Sequence, residues 1–283
     1  MRQNRKVRNS YIFDPVGGIV LKLKISPVTA YTLGVIVLGL IEQILIPYIG
    51  NYPKIIGSDP GYTSNRISAF IGGFVIAPSV WAFFVWTTKS HEILYNNLKN
   101  NKVFAVRALK KYSSWFNEYE TLISHRGAAA IVVIFTIIAI SLNTFGWMKD
   151  VDPWFGRQHK VHFVFAVVTT TIQYYFYFWI VLKEIIFAFW INRLFKTLGK
   201  SIIVHVLHSD GAGGFGALGV HAGRLSFFIF FLGLQFVSYT IITILYGVQA
   251  TVYSISIYIY LGSFIFYLCL CQCCLLFCLH IKQ

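Results

Sequence analysis

Hydrophobic positions in this chain form long, uninterrupted runs, and not the short alternating segments that are typical of half-buried strands. Six runs are long enough to cross a bilayer, at residues 28–49, 66–88, 127–148, 161–182, 225–248 and 252–279. A helix needs about 20 predominantly apolar residues to cross a hydrocarbon core about 30 Å thick. Because that core offers no water to unpaired backbone groups, such runs must be helical. The pattern predicts an all-α, polytopic transmembrane helical bundle of about six spans, with residues 1–283 forming a single membrane domain.

Composition agrees with a membrane protein. Of the 283 residues, 57% are hydrophobic and 12% are charged, whereas soluble domains carry about 25% charged residues. Lys and Arg concentrate in the N-terminal segment 1–27, in the loop 89–126 and after the fourth run. The positive-inside rule then places both termini in the cytoplasm. We expect an integral protein of a bacterial-type plasma (inner) membrane, whose net charge of +14 faces anionic lipid headgroups and not nucleic acid.

Segments between the runs are predicted to be amphipathic helices. Residues 11–26 suit the membrane interface, with two lysines reaching toward lipid headgroups. In the loop 89–126, five apolar residues recur at steps of three and four, which predicts one stripe along a cytoplasmic helix. That stripe consists of Leu109, Tyr112, Phe116, Tyr119 and Ile123. In one interpretation, the stripe packs on the bundle or lies on the membrane surface. In the alternative, it is the surface at which the chain forms an oligomer or binds a cytosolic protein.

The fourth run continues in helical register to about residue 198. At 1.5 Å per residue, a helix over 161–198 is longer than the membrane is thick. Lys183 and Glu184 interrupt the apolar sequence, and we take them to mark the point where this helix leaves the membrane.

The segment 201–224 carries the most unusual chemistry, because three of the eight histidines lie in it among six glycines. One interpretation is a site for a divalent metal, since imidazole and carboxylate ligands suit Zn, Fe or Mn. Its candidate ligands are His205, His208, Asp210 and His221. The first two are three residues apart and would share a helical face.

Other interpretations of the same segment rest on its glycines. Gly211, Gly213 and Gly216 have the spacing of a dinucleotide fingerprint, but they lie between membrane helices and not after a strand. A looser nest of backbone N–H groups, helped by Gly214 and Arg224, would bind an anion such as a phosphate or a lipid headgroup. The segment would otherwise form a re-entrant or gating loop, or a tight turn without a ligand.

Polar residues inside the runs are candidates for a permeation path, because charge within a membrane is costly. Glu42 lies past the middle of the first run, where it would bind a cation, carry a proton, or pair with Arg66 or Arg157. The candidate path residues are Glu42, Gln43, Gln173 and Gln235.

Together these features favour a channel-like or transport-like protein that is gated, or senses a ligand, through the segment 201–224. We expect it to form a homo-oligomer in the lipid bilayer. The first alternative is a membrane-embedded, metal-dependent enzyme that acts on a lipid. The second alternative is a membrane scaffold that docks a cytosolic protein.

Overall fold

The structure is a computed structural model, and it describes residues 14–49, 70–142, 160–203, 209 and 211–246. Within these ranges the chain is predominantly helical and contains no strand. An isolated antiparallel bridge joins Phe104 to Ile202. The all-α prediction is confirmed for this part of the chain, and the predicted run 252–279 lies outside it.

The N-terminal segment forms helix α1, Pro15–Lys22. Asp14 caps it by accepting a hydrogen bond of 2.9 Å from the Gly17 N–H, and Pro15 suits the first helical position, where no N–H is needed. Val20 is buried in the core, whereas Ile19 and Leu23 are exposed. Apolar side chains thus lie on both the buried and the exposed side of α1, and the predicted position of residues 11–26 at the membrane interface stays a prediction.

Helix α2, Pro27–Gly34, continues as a π-helix over Val35–Leu45 and ends in an α-helical turn, Ile46–Ile49. Helix α3, Ala77–Asn100, follows a π-helical turn at Gly72–Ile76. Close approach of these two helices depends on glycine. A Cβ on Gly34 would lie 2.8 Å from the Pro78 Cα, and one on Gly73 would lie 2.7 Å from the Leu38 carbonyl oxygen. Small residues permit this kind of close packing in membrane helix pairs.

The remaining long helices are α4, Leu109–Ile123, α5, Arg126–Leu142, α6, Lys160–Leu198, and α7, Gly216–Tyr246. Helix α6 is the centre of the fold and packs against α3, α4 and α5, while α7 packs against α3. With 39 residues, α6 is about 58 Å long. It therefore extends well beyond the thickness of a bilayer, as the sequence predicted.

Fewer membrane spans are found in the described residues than the six predicted. Pro27–Leu45 and Val164–Ser201 are long and apolar enough to cross a membrane. A third span results if Val106–Ile123 and Arg126–Ser141, which meet at a bend of 43°, are taken as one. The described part of the chain thus supports two or three spans. The predicted run 66–88 begins, and the run 127–148 ends, outside the described residues.

Two hydrophobic clusters make up the interior. The first, which we call the span cluster, joins α2, α3, α5, α6 and α7 around Phe84, Val132 and Trp179. The second, the α4 cluster, joins the ends of α3 and α6 to α4 around Leu98 and Leu194. A boundary between them crosses α3, α6 and α7 at one level.

The predicted stripe of α4 lies in the second cluster. Tyr112, Phe116 and Tyr119 are buried, and Leu109 and Ile123 pack against them. The helix prediction for 109–123 is confirmed, and its stripe is covered by α3 and α6 of the same chain. Trp115, which is outside the stripe, is also buried and donates a hydrogen bond of 2.9 Å to the Trp190 carbonyl oxygen.

Candidate metal centre

Three potential metal ligands converge where the two hydrophobic clusters meet. His91 comes from α3, Glu184 from α6 and His221 from α7. Their side chains are buried, with 5%, 3% and 5% of their surface exposed, respectively. One ligand atom from each residue lies within 4.8 Å of the other two. Three separate helices thus bring two imidazoles and one carboxylate to a single point in the interior.

The Glu184 carboxylate faces one imidazole with each of its oxygens. His91 Nε2 lies 3.1 Å from Oε1, and His221 Nε2 lies 3.3 Å from Oε2. In a tetrahedral zinc site with bonds of about 2.0–2.2 Å, neighbouring ligand atoms are about 3.4 Å apart. The two separations between histidine and carboxylate are close to that value, although they involve different oxygens, and all three ligand atoms lie within 4.8 Å of one another. One ion could contact all three residues after side-chain movements that bring these atoms closer together.

One of these contacts leaves both of its atoms without a hydrogen bond. Although His91 Nε2 and Glu184 Oε1 are 3.1 Å apart, they are not aligned for hydrogen bonding. Neither atom has another hydrogen-bond partner among the described residues. Buried polar atoms in proteins nearly always have a partner. A cation between the imidazole and the carboxylate would satisfy both atoms, and the donor set of two histidines and one glutamate suits such an ion.

The second ring nitrogen of His91, Nδ1, forms a hydrogen bond with Tyr119. His91 Nδ1 lies 2.7 Å from the Tyr119 hydroxyl oxygen. If Nε2 binds a metal, Nδ1 carries the hydrogen and donates it to Tyr119, which fixes the tautomer and the orientation of the ring. The His91 ring also stacks on Phe187, with centroids 4.5 Å apart. Burial lowers the pKa of His91, although Glu184 acts in the opposite direction, and the neutral imidazole is the form that binds metal.

A buried ion pair lies beside the triad. Lys183 Nζ lies 3.0 Å from Asp14 Oδ2 and 3.5 Å from Thr88 Oγ1. Lys183 and Glu184 are consecutive on α6, and Thr88 and His91 are three residues apart on α3. The two helices therefore contact each other through two neighbouring polar pairs, Lys183 with Thr88 and Glu184 with His91. Lys183 and Glu184, which were expected to mark the end of the membrane span, are therefore both buried. Lys183 contacts Asp14, and Glu184 contacts the two histidines.

Only part of the metal site predicted from the sequence can be located. His221 is buried in the triad, whereas His205, His208 and Asp210 lie outside the described residues. His221 also belongs to a helix and not to a loop, because α7 begins at Gly216. Its neighbours His91 and Glu184 were not among the predicted ligands.

The glycine-rich part of the segment forms the turn before α7. Gly211, Gly213 and Gly214 have positive φ angles of 63°, 66° and 98°, which glycine adopts without steric cost. The Asn101 side chain donates a hydrogen bond of 3.0 Å to the Gly214 carbonyl oxygen, so the turn is attached to the end of α3. Arg224 is exposed on α7.

The missed ligands left signals in the sequence. His91 follows Phe84 and Thr88 at helical spacing, and these residues form one buried face of α3. Glu184, together with Lys183, interrupts a long apolar stretch of α6, and a carboxylate in such a position is a functional candidate. What the sequence could not show is that the two residues meet, because their contact depends on how α3 packs on α6.

Two of the four residues predicted to line a permeation path are buried and in contact with each other. Glu42 and Gln43 are buried, and Glu42 Oε2 lies 2.9 Å from the Thr169 hydroxyl oxygen of α6. Gln43 Nε2 donates a hydrogen bond of 3.4 Å to Glu42 Oε1. Gln173 is half-buried, and the side chain of Gln235 is outside the described residues.

Comparisons with known proteins do not assign a family. No protein-family model matches the chain, and neither curated proteins nor solved structures give a match. The fold and the site therefore define the protein only as a helical chain with candidate membrane spans and a buried cluster of two histidines and a glutamate.

Proposed function

We propose that this chain is a multi-pass membrane protein whose state is controlled by a divalent transition-metal ion bound to His91, Glu184 and His221. The observation that carries this proposal is the convergence of the three ligand atoms within 4.8 Å. The proposal includes six spans, cytoplasmic termini and a transport-like activity, as expected from the sequence. In this proposal, the ligand sensed by the segment 201–224 is the metal ion, which the segment contacts through His221.

The position of the three ligands explains how an ion would act. His221 lies on the second turn of α7, just after the glycine turn, whereas His91 and Glu184 lie on α3 and α6. A bound ion would join α7 to both other helices, whereas without it α7 is held there by packing and by the contact of 3.3 Å between His221 and Glu184. Because the turn at 211–214 contains three glycines with positive φ, the start of α7 can change its direction at low steric cost. Metal occupancy would thus set the position of α7.

The charge of the site favours a divalent cation. The Glu184 carboxylate brings negative charge to a buried position, where charge is costly unless it has partners. A divalent cation bound there would give the carboxylate and the two imidazole nitrogens one common partner. This ligand set suits Zn²⁺, Fe²⁺ and Mn²⁺.

Elemental analysis of the purified protein tests the site directly. We expect about one transition-metal ion per chain in the wild type or after loading with Zn²⁺, and loss of the ion in His91→Phe and Glu184→Gln. His125→Ala is the matched control, because His125 is exposed and should leave the metal content unchanged. A wild-type protein that binds no Zn²⁺, Fe²⁺ or Mn²⁺ would refute the site. Ion flux into liposomes, measured with and without a chelator, then tests whether the metal controls transport.

A second candidate function is a metal-dependent enzyme that acts on a lipid. It is favoured by the number of ligands, because three protein ligands leave a position at which a metal can bind and activate water. In this case Zn²⁺-loaded protein in liposomes should release a fatty acid or a headgroup, and Glu184→Gln should abolish the release. Metal-dependent flux without lipid breakdown would instead support the first proposal.

Homo-oligomer formation and docking of a cytosolic protein are further proposals. Because the apolar stripe of α4 is covered within its own chain, a docking partner would have to bind the opposite, exposed face. That face includes Lys111, Asn117 and Glu118. Reversing charges on this face, and not making the stripe polar, is the informative change in a binding experiment.

A further inference from the structure

Three acidic side chains are buried in the described part of the chain, and they differ in their partners. Asp14 faces the Lys183 ammonium group, and Glu184 faces two imidazoles. Glu42 has no basic partner among the described residues. Its contacts are the Thr169 hydroxyl and the Gln43 amide, neither of which carries a charge or titrates.

The hydrogen bonds of Thr169 bear on the protonation of Glu42. Thr169 Oγ1 lies 2.9 Å from Glu42 Oε2, 3.0 Å from the Phe165 carbonyl oxygen and 3.1 Å from the Ala166 carbonyl oxygen. A hydroxyl group has one hydrogen to donate and two lone pairs to accept with. In helices, threonine commonly donates that hydrogen to the carbonyl four residues earlier, here Phe165. When Thr169 donates in this way, its oxygen is left to accept a hydrogen bond from Glu42 Oε2 in the carboxylic acid form, whereas an ionised Glu42 would need the Thr169 hydrogen for itself.

Burial within a candidate membrane span acts in the same direction. Glu42 is 8% exposed and belongs to the apolar stretch Pro27–Leu45. An ionised carboxylate in such a place is stable only with a cation or with several hydrogen-bond donors. Gln43 supplies a single donor at 3.4 Å. Binding a proton removes the charge, and it also lets Thr169 keep its hydrogen bond to the Phe165 carbonyl while it accepts one from Glu42.

We propose that Glu42 is a reversible proton-binding site within the membrane span, occupied at neutral pH. Its carboxylate takes up one proton from the aqueous phase to form a neutral acid, which donates to Thr169 Oγ1 through Oε2 and accepts from Gln43 through Oε1. The use of this proton in transport rests on the proposed transport-like function. Its presence does not rest on that function or on the metal centre.

Infrared spectroscopy of the full chain in lipid tests the proposal. At pH 7, the difference spectrum of wild type minus Glu42→Gln should contain the carbonyl band of a protonated carboxylic acid. Wild type minus Glu118→Gln is the control, because the exposed Glu118 should contribute no such band. Thr169→Val should shift the Glu42 band by removing its acceptor, whereas Thr169→Ser should keep it in place.

The spectra distinguish the proton site from its use. A difference spectrum without an acid band at pH 7 overturns the proposal, since Glu42 would then be ionised. If Glu42→Gln does not fold, the wild type minus Thr169→Val spectrum replaces it, where a displaced acid band supports the site and no displacement overturns it. An acid band in a protein without proton flux would leave the site standing and would remove only the transport-like function.

Discussion

The buried ion pair between Lys183 and Asp14 should contribute far more to stability than an exposed pair in the same protein. Asp14→Asn removes the charge but keeps the shape of the side chain and its capping oxygen. It removes the carboxylate charge that faces the ammonium group of Lys183, a residue that is only 2% exposed. Removing one partner of a buried ion pair typically costs about 3–5 kcal/mol, because the other charge stays buried and uncompensated.

The local geometry supports a value within that range. Lys183 Nζ lies 3.0 Å from Asp14 Oδ2, and the rings of Phe84 and Trp179 lie 5.2 Å and 5.1 Å from it. These rings offer some cation–π attraction, but little of the hydrogen bonding that water would provide. For a chain of this size, about 1 kcal/mol corresponds to roughly 2–4 °C. We therefore expect a fall in the unfolding temperature of about 6–20 °C.

Thermal unfolding of the purified protein in detergent, followed by tryptophan fluorescence, measures this effect. The control is Glu118→Gln, which breaks a pair with Arg193 in which the side chains are 55% and 63% exposed. Exposed pairs contribute about 0–1 kcal/mol, so the control should unfold within about 4 °C of the wild type. The double variant Asp14→Asn, Lys183→Met should regain much of the lost stability. An Asp14→Asn protein as stable as the control would refute the reasoning.

Three further predictions concern the second ring nitrogen of His91, the glycine contacts and the carboxylates of α4. Tyr119→Phe should weaken Zn²⁺ binding about 10-fold by removing the hydrogen-bond partner of His91, as measured by competition with a fluorescent chelator. Tyr112→Phe is the control and should leave the affinity unchanged, because the Tyr112 hydroxyl donates to the Tyr95 carbonyl of α3 and not to His91. Gly73→Ala places a Cβ 2.7 Å from the Leu38 carbonyl oxygen, whereas a Cβ on Gly72 has no atom within 4 Å. Thermal unfolding should therefore show a loss of stability of about 1–3 kcal/mol for Gly73→Ala and no loss for the control Gly72→Ala. Burial, followed by the nearby Glu92, raises the pKa of Glu120 from 4.5 to about 7. The folded state therefore binds this proton more tightly than the unfolded state, and stability falls as the pH rises from about 4.5 to about 7. The free energy of unfolding of Glu120→Gln should equal that of the wild type at pH 4 and exceed it by about 1 kcal/mol at pH 8, a value reduced for solvent screening of a half-exposed group. A difference that stays constant from pH 4 to pH 8 would contradict the raised pKa of Glu120.

Local patterns in the sequence predicted the helices better than their boundaries. The α4 stripe is buried as predicted, because a 3.6-residue repeat depends only on neighbouring residues. Gly216, Gly219 and Gly223 suggested a loop, yet they lie in α7. Glycine lowers helix propensity by only about 1 kcal/mol per residue, which burial of His221 and Leu225 in the same helix can offset.

The contacts between helices could not be predicted in the same way. Lys183 and Glu184 were taken as the end of a span because charged residues are usually solvated. In the structure, consecutive positions on α6 point to different neighbours, so Lys183 binds Asp14 and Glu184 lies between His91 and His221. That arrangement depends on α1, α3 and α7 packing around α6, and no short-range pattern specifies it.

The two buried ionic clusters on α6 provide a comparison that favours a metal at one of them. Both lie between the same pair of helices, α3 and α6, and both contain a carboxylate. Around Asp14, the contacts are complete, because the carboxylate accepts hydrogen bonds from the Gly17 N–H, Lys183 and Tyr175. Around Glu184, Oε1 and the facing His91 nitrogen are 3.1 Å apart, at ion-pair distance, but neither forms a hydrogen bond within the described part of the chain. A purely structural polar cluster in this environment would be expected to align these atoms, as the Asp14 cluster does, whereas a cation bound between them explains both their proximity and their missing hydrogen bond.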